Sequence, residues 1–336
     1  MLNPFQSNDA FSMASLTAAI NLLPNNYGRL REMGLFADKG IITRTVIVEE
    51  QHGVLNLLPT QPLGADGTKG KSGKRKVRSF NVPHIPHDDV ILPEEYQGIR
   101  AFGSETELQT LSQIVNDKLQ VMRNKHAITL EYLRMGALKG IILDADGSTL
   151  YNLYTEFGIT QKSVSFALGT EGTKVPAKCR DVLRHVEDNL MGEVMTGVHC
   201  LCSQGFFDSL IGHKSVEQVF LNHVAAIDRL GGDPRKGFSF GGITFEEYRG
   251  QAMDGAGTVR KFIADGEAHA FPVGTMGTFQ TAYSPADFVE TANTIGRPVY
   301  AKQEDRKFGR GVDLHTQSNP LPICYRPGVL VRLTAS

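Results

Sequence analysis

The chain has 336 residues, which is long enough for about two domains with hydrophobic cores. Hydrophobic residues make up 41% of it and charged residues 21%, as in ordinary soluble proteins. The formal net charge of −1 argues against a molecule whose whole surface binds polyanions. Four scattered cysteines indicate a reducing compartment rather than a disulfide framework. We find neither a secretory signal nor an apolar run near the ~18 residues of a membrane span.

Residues 1–40 are predicted to form an N-terminal arm with little core of its own. The apolar spacing at 14–23 favours a short amphipathic helix, which Pro24 ends, and a second short helix ends near Met33. We expect this arm to pack on another part of the molecule or on a neighbouring subunit.

Residues 41–99 are predicted to form an extended β-hairpin. Strand patterns at 43–58 and 76–85 flank a glycine-rich tip, and six basic residues but one acidic residue lie at 64–80. A lone ribbon is marginally stable in water, so it needs a surface to lie on. The charges suit contact between copies of the chain, although they equally allow a solvated loop. The candidate contact residues are Lys69, Lys71, Lys74, Arg75, Lys76, Arg78, Asp88, Asp89, Glu94 and Glu95.

A single long helix is predicted for residues 104–139. The segment has helical apolar spacing, no proline and one glycine, Gly136. Ser104 and Glu107 fit a capping box, and Gly140 stands where a C-terminal cap belongs. At 1.5 Å per residue the helix would be about 54 Å long. Its interspersed polar side chains predict that it lies along a surface rather than inside a core.

The rest of the chain predicts an α+β fold. Two strands are expected around a turn at 144–148, followed by irregular chain to residue 175. Mixed helix and strand patterns at 176–296 favour a compact α+β domain. Strand signals return at 297–336, and we expect this tail to pair beside the strands that follow the long helix.

One segment is a near match to a phosphate-binding loop. Residues 65–72 read ADGTKGKS, with Ala65 in place of the first glycine. Such a loop must open a helix, whereas a strand pattern and Pro83 follow here. We therefore predict no nucleotide or other cofactor. Since no G-x-S-x-G motif occurs either, we predict that the protein is not an enzyme.

Three groups of residues resemble metal ligands. Asp144 and Asp146 begin like a calcium loop, but its third carboxylate and closing glutamate are missing, which favours a hairpin turn. His84 and His87 lie in extended chain around a proline, which favours a linker. Cys200 and Cys202 lie on one face of a predicted strand, as buried thiols do. We predict no metal site.

The basic loop at 69–78 supports an alternative function, nucleic-acid binding. Its cations would attract phosphates in a salt-dependent, sequence-independent way. Only Phe80 offers a nearby aromatic ring, so stacking on single strands has little support.

Taken in order, several motifs resemble one protein family, the lambda-type capsid protein E family of tailed-phage major capsid proteins. These motifs are LTAAIN (16–21), YGRL (27–30), VPHIPHDD (82–89), QGIRAFG (97–103), LKGIILDADG (138–147), FPVGT (271–275), AYSPADFVET (282–291) and YAKQ (300–303). Each motif alone is weak, but the ordered set spans nearly the whole chain.

The resemblance implies an HK97-like capsid fold. It implies an extended loop at 41–99, a peripheral domain at 100–175 that contains the spine helix 104–139, an axial domain at 176–296 and a return to the peripheral domain at 297–336. Copies would assemble in the host cytoplasm as hexamers and pentamers into an icosahedral head around double-stranded DNA. Scaffold, portal and decoration proteins are the further partners expected. The family supplies no catalytic residues, and we expect no covalent crosslink from the loop lysines.

Overall fold

A computed structural model describes residues 12–22, 28–51, 75–95 and 111–336. The predicted hairpin tip with Lys69, Lys71 and Lys74 lies outside these ranges, as does the phosphate-loop-like segment 65–72. The predicted capping box at Ser104 also lies outside them.

Seven α-helices lie in the described ranges. They are α1 (Met13–Leu22), α2 (Arg29–Glu32), α3 (Leu111–Lys139), α4 (Leu153–Phe157), α5 (Val175–Asn189), α6 (Gln204–Ile211) and α7 (Glu217–Leu230). None of the helices within these ranges combines the length and apolar character needed to cross a membrane.

The β-strands are short and are distributed along the described chain. They are β1 (Ala37–Gly40), β2 (Thr45–Gln51), β3 (Arg75–Asn81), β4 (Ile85–Ile91), β5 (Ile141–Leu143), β6 (Thr149–Asn152), β7 (Lys162–Ser165), β8 (Gly197–Cys202), β9 (Phe238–Phe240), β10 (Ile243–Glu247), β11 (Gln251–Met253), β12 (Val259–Lys261), β13 (Glu267–Val273), β14 (Phe279–Tyr283), β15 (Tyr300–Asp305), β16 (Val312–Ser318), β17 (Pro320–Cys324) and β18 (Val331–Thr334). The α+β class is therefore confirmed.

The strands form three larger sheets and three hairpins. The largest sheet has six strands in the order β7-β18-β13-β8-β10-β9. Two three-stranded sheets have the orders β1-β14-β17 and β15-β16-β4. The hairpins are β2-β3, β5-β6 and β11-β12. Antiparallel pairing of β2 with β3 confirms the predicted ribbon over 45–51 and 75–81.

The six-stranded sheet and α5 carry much of the main core. Helix α5 buries Val175, Cys179, Val182 and Val186, which recur every three or four residues and so form one apolar stripe. Strand β8 buries four of its six residues. Both elements contribute to one continuous cluster of buried apolar side chains.

The long helix is confirmed over 111–139, which corresponds to about 44 Å. The prediction that it lies along a surface is wrong for its C-terminal half. From residue 131 to residue 138 every side chain except Tyr132 is buried. Around the helix lie β4, β5, β13, β17, α1 and α2. The polar side chains that suggested exposure instead have partners inside the subunit.

The predicted pairing of the C-terminal tail is wrong for β5 and β6, although β18 does pair with β7, which also follows the long helix. Strands β5 and β6 pair with each other in the described chain, whereas β16 pairs with β4, which precedes the long helix. Strand β17 pairs with β14, and β18 lies between β7 and β13. No strand was predicted at β17, which contains Pro320 and Pro322. Both prolines are tolerated because β17 is an edge strand of its sheet.

Two helix-ending glycines give the first testable prediction. Gly140 has φ +75°, and a Cβ there would lie 2.4 Å from the buried Tyr154 ring. Gly158 has φ +67°, and a Cβ there would meet no atom within 4 Å. Alanine at either position costs about 1–2 kcal/mol of left-handed strain. We expect Gly140→Ala to cost about 1–3 kcal/mol more, because the ring must move.

Urea unfolding of the unassembled subunit measures both losses, with Gly158→Ala as the matched control. Equal losses for the two variants would show that the Tyr154 ring does not constrain Gly140.

Candidate assembly surfaces

The root of the ribbon packs one of its faces on the body of the subunit. The register of β2 and β3 puts Val46, Val48 and Phe80 on this inner face, and all three are buried. The Phe80 ring centroid lies 5.3 Å from that of Tyr151 and 6.3 Å from that of Phe157. Aromatic contacts with the β5-β6 hairpin and α4 therefore fix the root of the ribbon.

The outer face of the same ribbon exposes two apolar side chains. Ile47 and Val77 each have 62% of their surface exposed. Side chains alternate between the two faces of a strand, so the burial of Val46 and Val48 forces Ile47 outward. This outer ribbon face, Ile47 and Val77, is a candidate contact surface.

The basic candidates in the described part of the ribbon have different surroundings. The Arg78 Nε donates a hydrogen bond to the Glu156 carbonyl at 2.7 Å. Its guanidinium carbon lies 4.6 Å from the Phe157 ring centroid. Arg78 is therefore held against its own subunit, whereas Lys76 is exposed. Arg75 occupies the first position of β3.

Three of the four acidic candidates have partners within the subunit. The four candidates are Asp88, Asp89, Glu94 and Glu95. Lys118 of α3 places its Nζ 2.8 Å from a Glu95 carboxylate oxygen and 3.6 Å from one of Asp89. The His315 Nδ1 lies 2.5 Å from an Asp88 oxygen. Glu94 is exposed. Contact with another copy stays a prediction for all four.

A partly buried ion pair joins the N-terminal segment to the six-stranded sheet. Arg29 of α2 donates to both carboxylate oxygens of Glu246, at 2.7 and 2.9 Å. The His199 Nε2 lies 3.2 Å from the same carboxylate. Burial alone would raise the pKa of Glu246, but hydrogen bonds from His199 and Arg29 lower it to about 2. Glu246 is therefore ionised when the protein is folded at neutral pH.

A second buried carboxylate joins the long helix to the same region. The Glu131 carboxylate accepts hydrogen bonds from the Leu30 backbone N–H at 2.8 Å and from the Tyr248 hydroxyl at 3.2 Å. Burial raises the pKa of Glu131, and these hydrogen bonds oppose that rise. The helix, α2 and the chain just after β10 thus meet at one side chain.

Two further polar residues of α3 have partners in different sheets. Arg134 lies 2.6 Å from an Asp38 oxygen and donates to the Thr281 hydroxyl at 3.2 Å. The His126 Nε2 lies 2.9 Å from the Thr316 hydroxyl. Burial lowers the pKa of His126 to about 4, so this ring is neutral at pH 7. The polar positions of the helix were visible in the sequence, but their partners were not.

The residues that resembled metal ligands are engaged in other contacts. The Asp146 carboxylate accepts a hydrogen bond from the Ser148 N–H at 2.8 Å, which confirms the hairpin turn. Cys200 and Cys202 are buried with their sulfurs 3.8 Å apart. Among the residues that the structure describes, no three His, Cys, Asp or Glu side chains are grouped to hold a metal ion.

His84, just before β4, and His87, within β4, also contact other side chains. The His84 Nδ1 lies 3.1 Å from the Asn319 side-chain oxygen and 3.0 Å from the Gln317 side-chain nitrogen. The His87 Nε2 lies 3.0 Å from the Lys125 Nζ. The two rings have different neighbours, but the predicted linker is wrong at His87, which lies in β4 and pairs with Thr316 of β16.

A second apolar surface lies on two adjacent loops. Met191, Val194 and Met276 are all strongly exposed. The Glu193 carboxylate joins the loops, because it accepts from the Met276 N–H at 2.7 Å and pairs with Arg326 at 3.0 Å. The apolar side chains are therefore presented by an ordered rather than a loose surface.

A long helix, a projecting ribbon and an α+β body define the class of fold, which solved capsid chains share. A prophage protein of E. coli CFT073 matches 97% of this chain and 99% of its own, with a TM-score of 0.60 at 14% identity. The capsid of Ralstonia phage GP4 matches 90% of this chain and 87% of its own, with a TM-score of 0.53 at 11% identity. The predicted HK97-like capsid fold is confirmed.

Sequence similarity assigns the chain to one family within this fold. The chain belongs to the phage major capsid protein E family, whose profile matches residues 12–335. The major capsid protein of Salmonella phage Felix O1 is 30% identical over 356 aligned positions, which cover 97% of this chain and 96% of the relative. That of Pseudomonas phage KPP10 is 32% identical over 339 positions, covering 96% of each. The family resemblance is confirmed, and no finding supports nucleic-acid binding through residues 69–78.

The buried Glu246 predicts a pH dependence of stability. Its pKa is about 2 in the folded protein against an ordinary value of 4.5, so its contribution is fully present above pH 4.5. That contribution is lost as the pH falls from 4.5 towards 2. We expect Glu246→Gln to lower the free energy of unfolding by about 3 kcal/mol at pH 7, with a difference that narrows towards pH 3.

Urea unfolding of the unassembled subunit at pH 7, 5, 4 and 3 measures this difference. Glu171→Gln is the matched control, because Glu171 is exposed and its nearest lysine nitrogen is 3.8 Å away. Parallel pH profiles for the wild type and Glu246→Gln would contradict the assigned role.

Proposed function

We propose that this chain is the structural subunit of a phage head. Its copies assemble as hexamers and pentamers into an icosahedral shell that encloses double-stranded DNA. The observation that carries this proposal is membership of the capsid protein E family over residues 12–335. Two relatives that align with nearly the whole chain are major capsid proteins.

The outer ribbon face gives this proposal a physical basis. Ile47 and Val77 are exposed at the base of a two-stranded ribbon, where only the opposite face is packed. Covering them with a neighbouring copy removes apolar surface from water, at about 25 cal/mol per Å². Repeated through a closed lattice, such contacts build interfaces of the size that obligate assemblies need, about 2,000 Å² or more.

The proposed division of the subunit follows the predicted domains. Residues 1–40 form the arm, 41–99 the extended loop, 100–175 and 297–336 the peripheral domain, and 176–296 the axial domain. Strand β18 lies beside β13 in the six-stranded sheet, so the C-terminal segment is hydrogen-bonded to the proposed axial domain. The two proposed domains therefore share a sheet and are expected to move together.

Partners beyond other copies of the chain belong to the same proposal. We propose contacts with scaffold, portal and decoration proteins, and non-specific contact with packaged DNA, during assembly in the host cytoplasm. The virion is the final location. The near-neutral net charge of −1 supports this role, because it limits repulsion among many copies. The role needs no catalysis, metal or cofactor.

The outer ribbon face can be tested by mutation. We expect the double variant Ile47→Asp with Val77→Asp to abolish shell formation, because two carboxylates would have to be buried at the interface. Both positions are exposed, so the variant should still fold, with a modestly lower unfolding temperature because a carboxylate at position 77 lies opposite Glu49. Sedimentation velocity and negative-stain microscopy measure assembly, and circular dichroism measures folding.

The matched control is Ile47→Val with Val77→Ile, which keeps the face apolar and should assemble normally. Wild-type yields of shells from the aspartate variant would remove this face from the proposed interface.

We also propose that the shell holds together without covalent crosslinks from Lys69, Lys71, Lys74 or Lys76. Assembled shells boiled with reductant should give a single band near the subunit mass of 36.8 kDa. A ladder of higher multimers on that gel would contradict the proposal.

A further inference from the structure

One cavity lies between the long helix and the strands that cross it. Its volume is about 70 Å³. Helix α3 contributes Arg123, Ala127, Leu130 and Arg134, which recur every three or four residues and so lie along one face. The other walls include Arg31, Asp38, Tyr283 and Ser318, from four separate elements or their ends.

The charges that line this cavity are unbalanced. Three arginines line it, Arg31, Arg123 and Arg134, and Asp38 is the one acidic residue in its lining. The Asp38 carboxylate is already engaged, because Arg134 lies 2.6 Å from it and the Tyr283 hydroxyl donates to it at 3.3 Å. The lining therefore carries a net charge of +2 when His126 is neutral.

Arg123 is one of the two buried arginines in this lining. Only 7% of its surface is exposed, and its Nε has no hydrogen-bond partner. Burial and the nearby charge of Arg31 lower the pKa of Arg123, but a guanidinium remains protonated at neutral pH. A buried charge without a counter-ion is strongly disfavoured. Its Nε donor therefore has no acceptor among the described residues, and an anion would supply one.

We propose that this cavity binds a doubly charged tetrahedral oxyanion of the sulfate or phosphate class. The charge of such an ion matches the net charge of the lining, which the buried Arg123 and the exposed Arg31 carry. The volume of about 70 Å³ is several times the minimum that one water needs, so the cavity has room for a small ion.

The bound ion would join two parts of the subunit that are distant in sequence. Arg31 lies in α2, within the N-terminal segment, and Arg123 and Arg134 lie in α3. Guanidinium groups donate paired hydrogen bonds to such oxyanions. An ion that binds only the folded subunit also stabilises it by mass action. The ion would therefore hold the N-terminal segment on the helix.

The test uses the full-length, unassembled subunit. Isothermal titration calorimetry with sodium sulfate, and separately with sodium phosphate, should show one bound ion per chain. Thermal unfolding should shift upward in sulfate relative to sodium chloride of equal ionic strength. Acetate should bind at least tenfold more weakly. Sulfate binding no better than chloride would overturn the proposal, and equal binding of acetate would overturn the assignment to a dianion.

Three variants locate the ion. Arg123→Met should lose the sulfate-dependent shift and unfold at a higher temperature than the wild type in chloride, since an unpaired buried charge has gone. Arg31→Gln, at an exposed position of the lining, should raise the sulfate dissociation constant about tenfold or more. Arg180→Gln, on an exposed face of α5, should leave that constant unchanged.

If Arg123→Met fails to fold, the comparison of Arg31→Gln with Arg180→Gln decides. Equal sulfate dissociation constants for these two variants would place the ion elsewhere and overturn the proposal.

Discussion

The burial of the C-terminal half of α3 is the constraint on which the rest of the structure depends. A helix buried on nearly every side over residues 131–138 must pair each of its polar side chains inside the subunit, because an unpaired buried group is costly. Glu131 is paired with the Leu30 backbone, and Arg134 with Asp38. These partners lie about a hundred residues away in sequence, so the helix fixes the N-terminal segment on the body. The same helix packs against β4, β5 and β17.

The existence of this helix could be predicted from the sequence, but its surroundings could not. Periodicity and the lack of proline are local properties, and they predicted a helix that ends at Lys139. Whether a charged residue is solvated or paired depends on which distant segment lies against it. Glu131 and Arg134 therefore suggested an exposed face, although both are buried. The same limit applies to β17, whose prolines are acceptable only because its outer edge is unpaired.

At the candidate surfaces too, local sequence patterns predicted the strands, whereas contacts with distant residues decide which side chains are free. Strand alternation predicted a ribbon, and the ribbon forms over 45–51 and 75–81. Which face is free follows from the packing of Phe80 against Tyr151 and Phe157, which the sequence does not show. Arg78 was predicted as a contact residue from its charge, yet it stacks on Phe157 of the same chain. Family motifs supplied the fold because an ordered set of short matches carries long-range information that no single motif contains.

Within one subunit, other elements cover the C-terminal half of α3, whereas the outer ribbon face is exposed. Amide hydrogen exchange, compared between the unassembled subunit and the assembled shell, tests that contrast most directly. Amides of the buried segment 131–138 should be strongly protected in both states. Amides of 45–51 and 75–81 should exchange faster than those of 131–138 in the subunit and become more strongly protected in the shell. Equal protection of the ribbon in the two states would contradict the view that a neighbouring copy completes it.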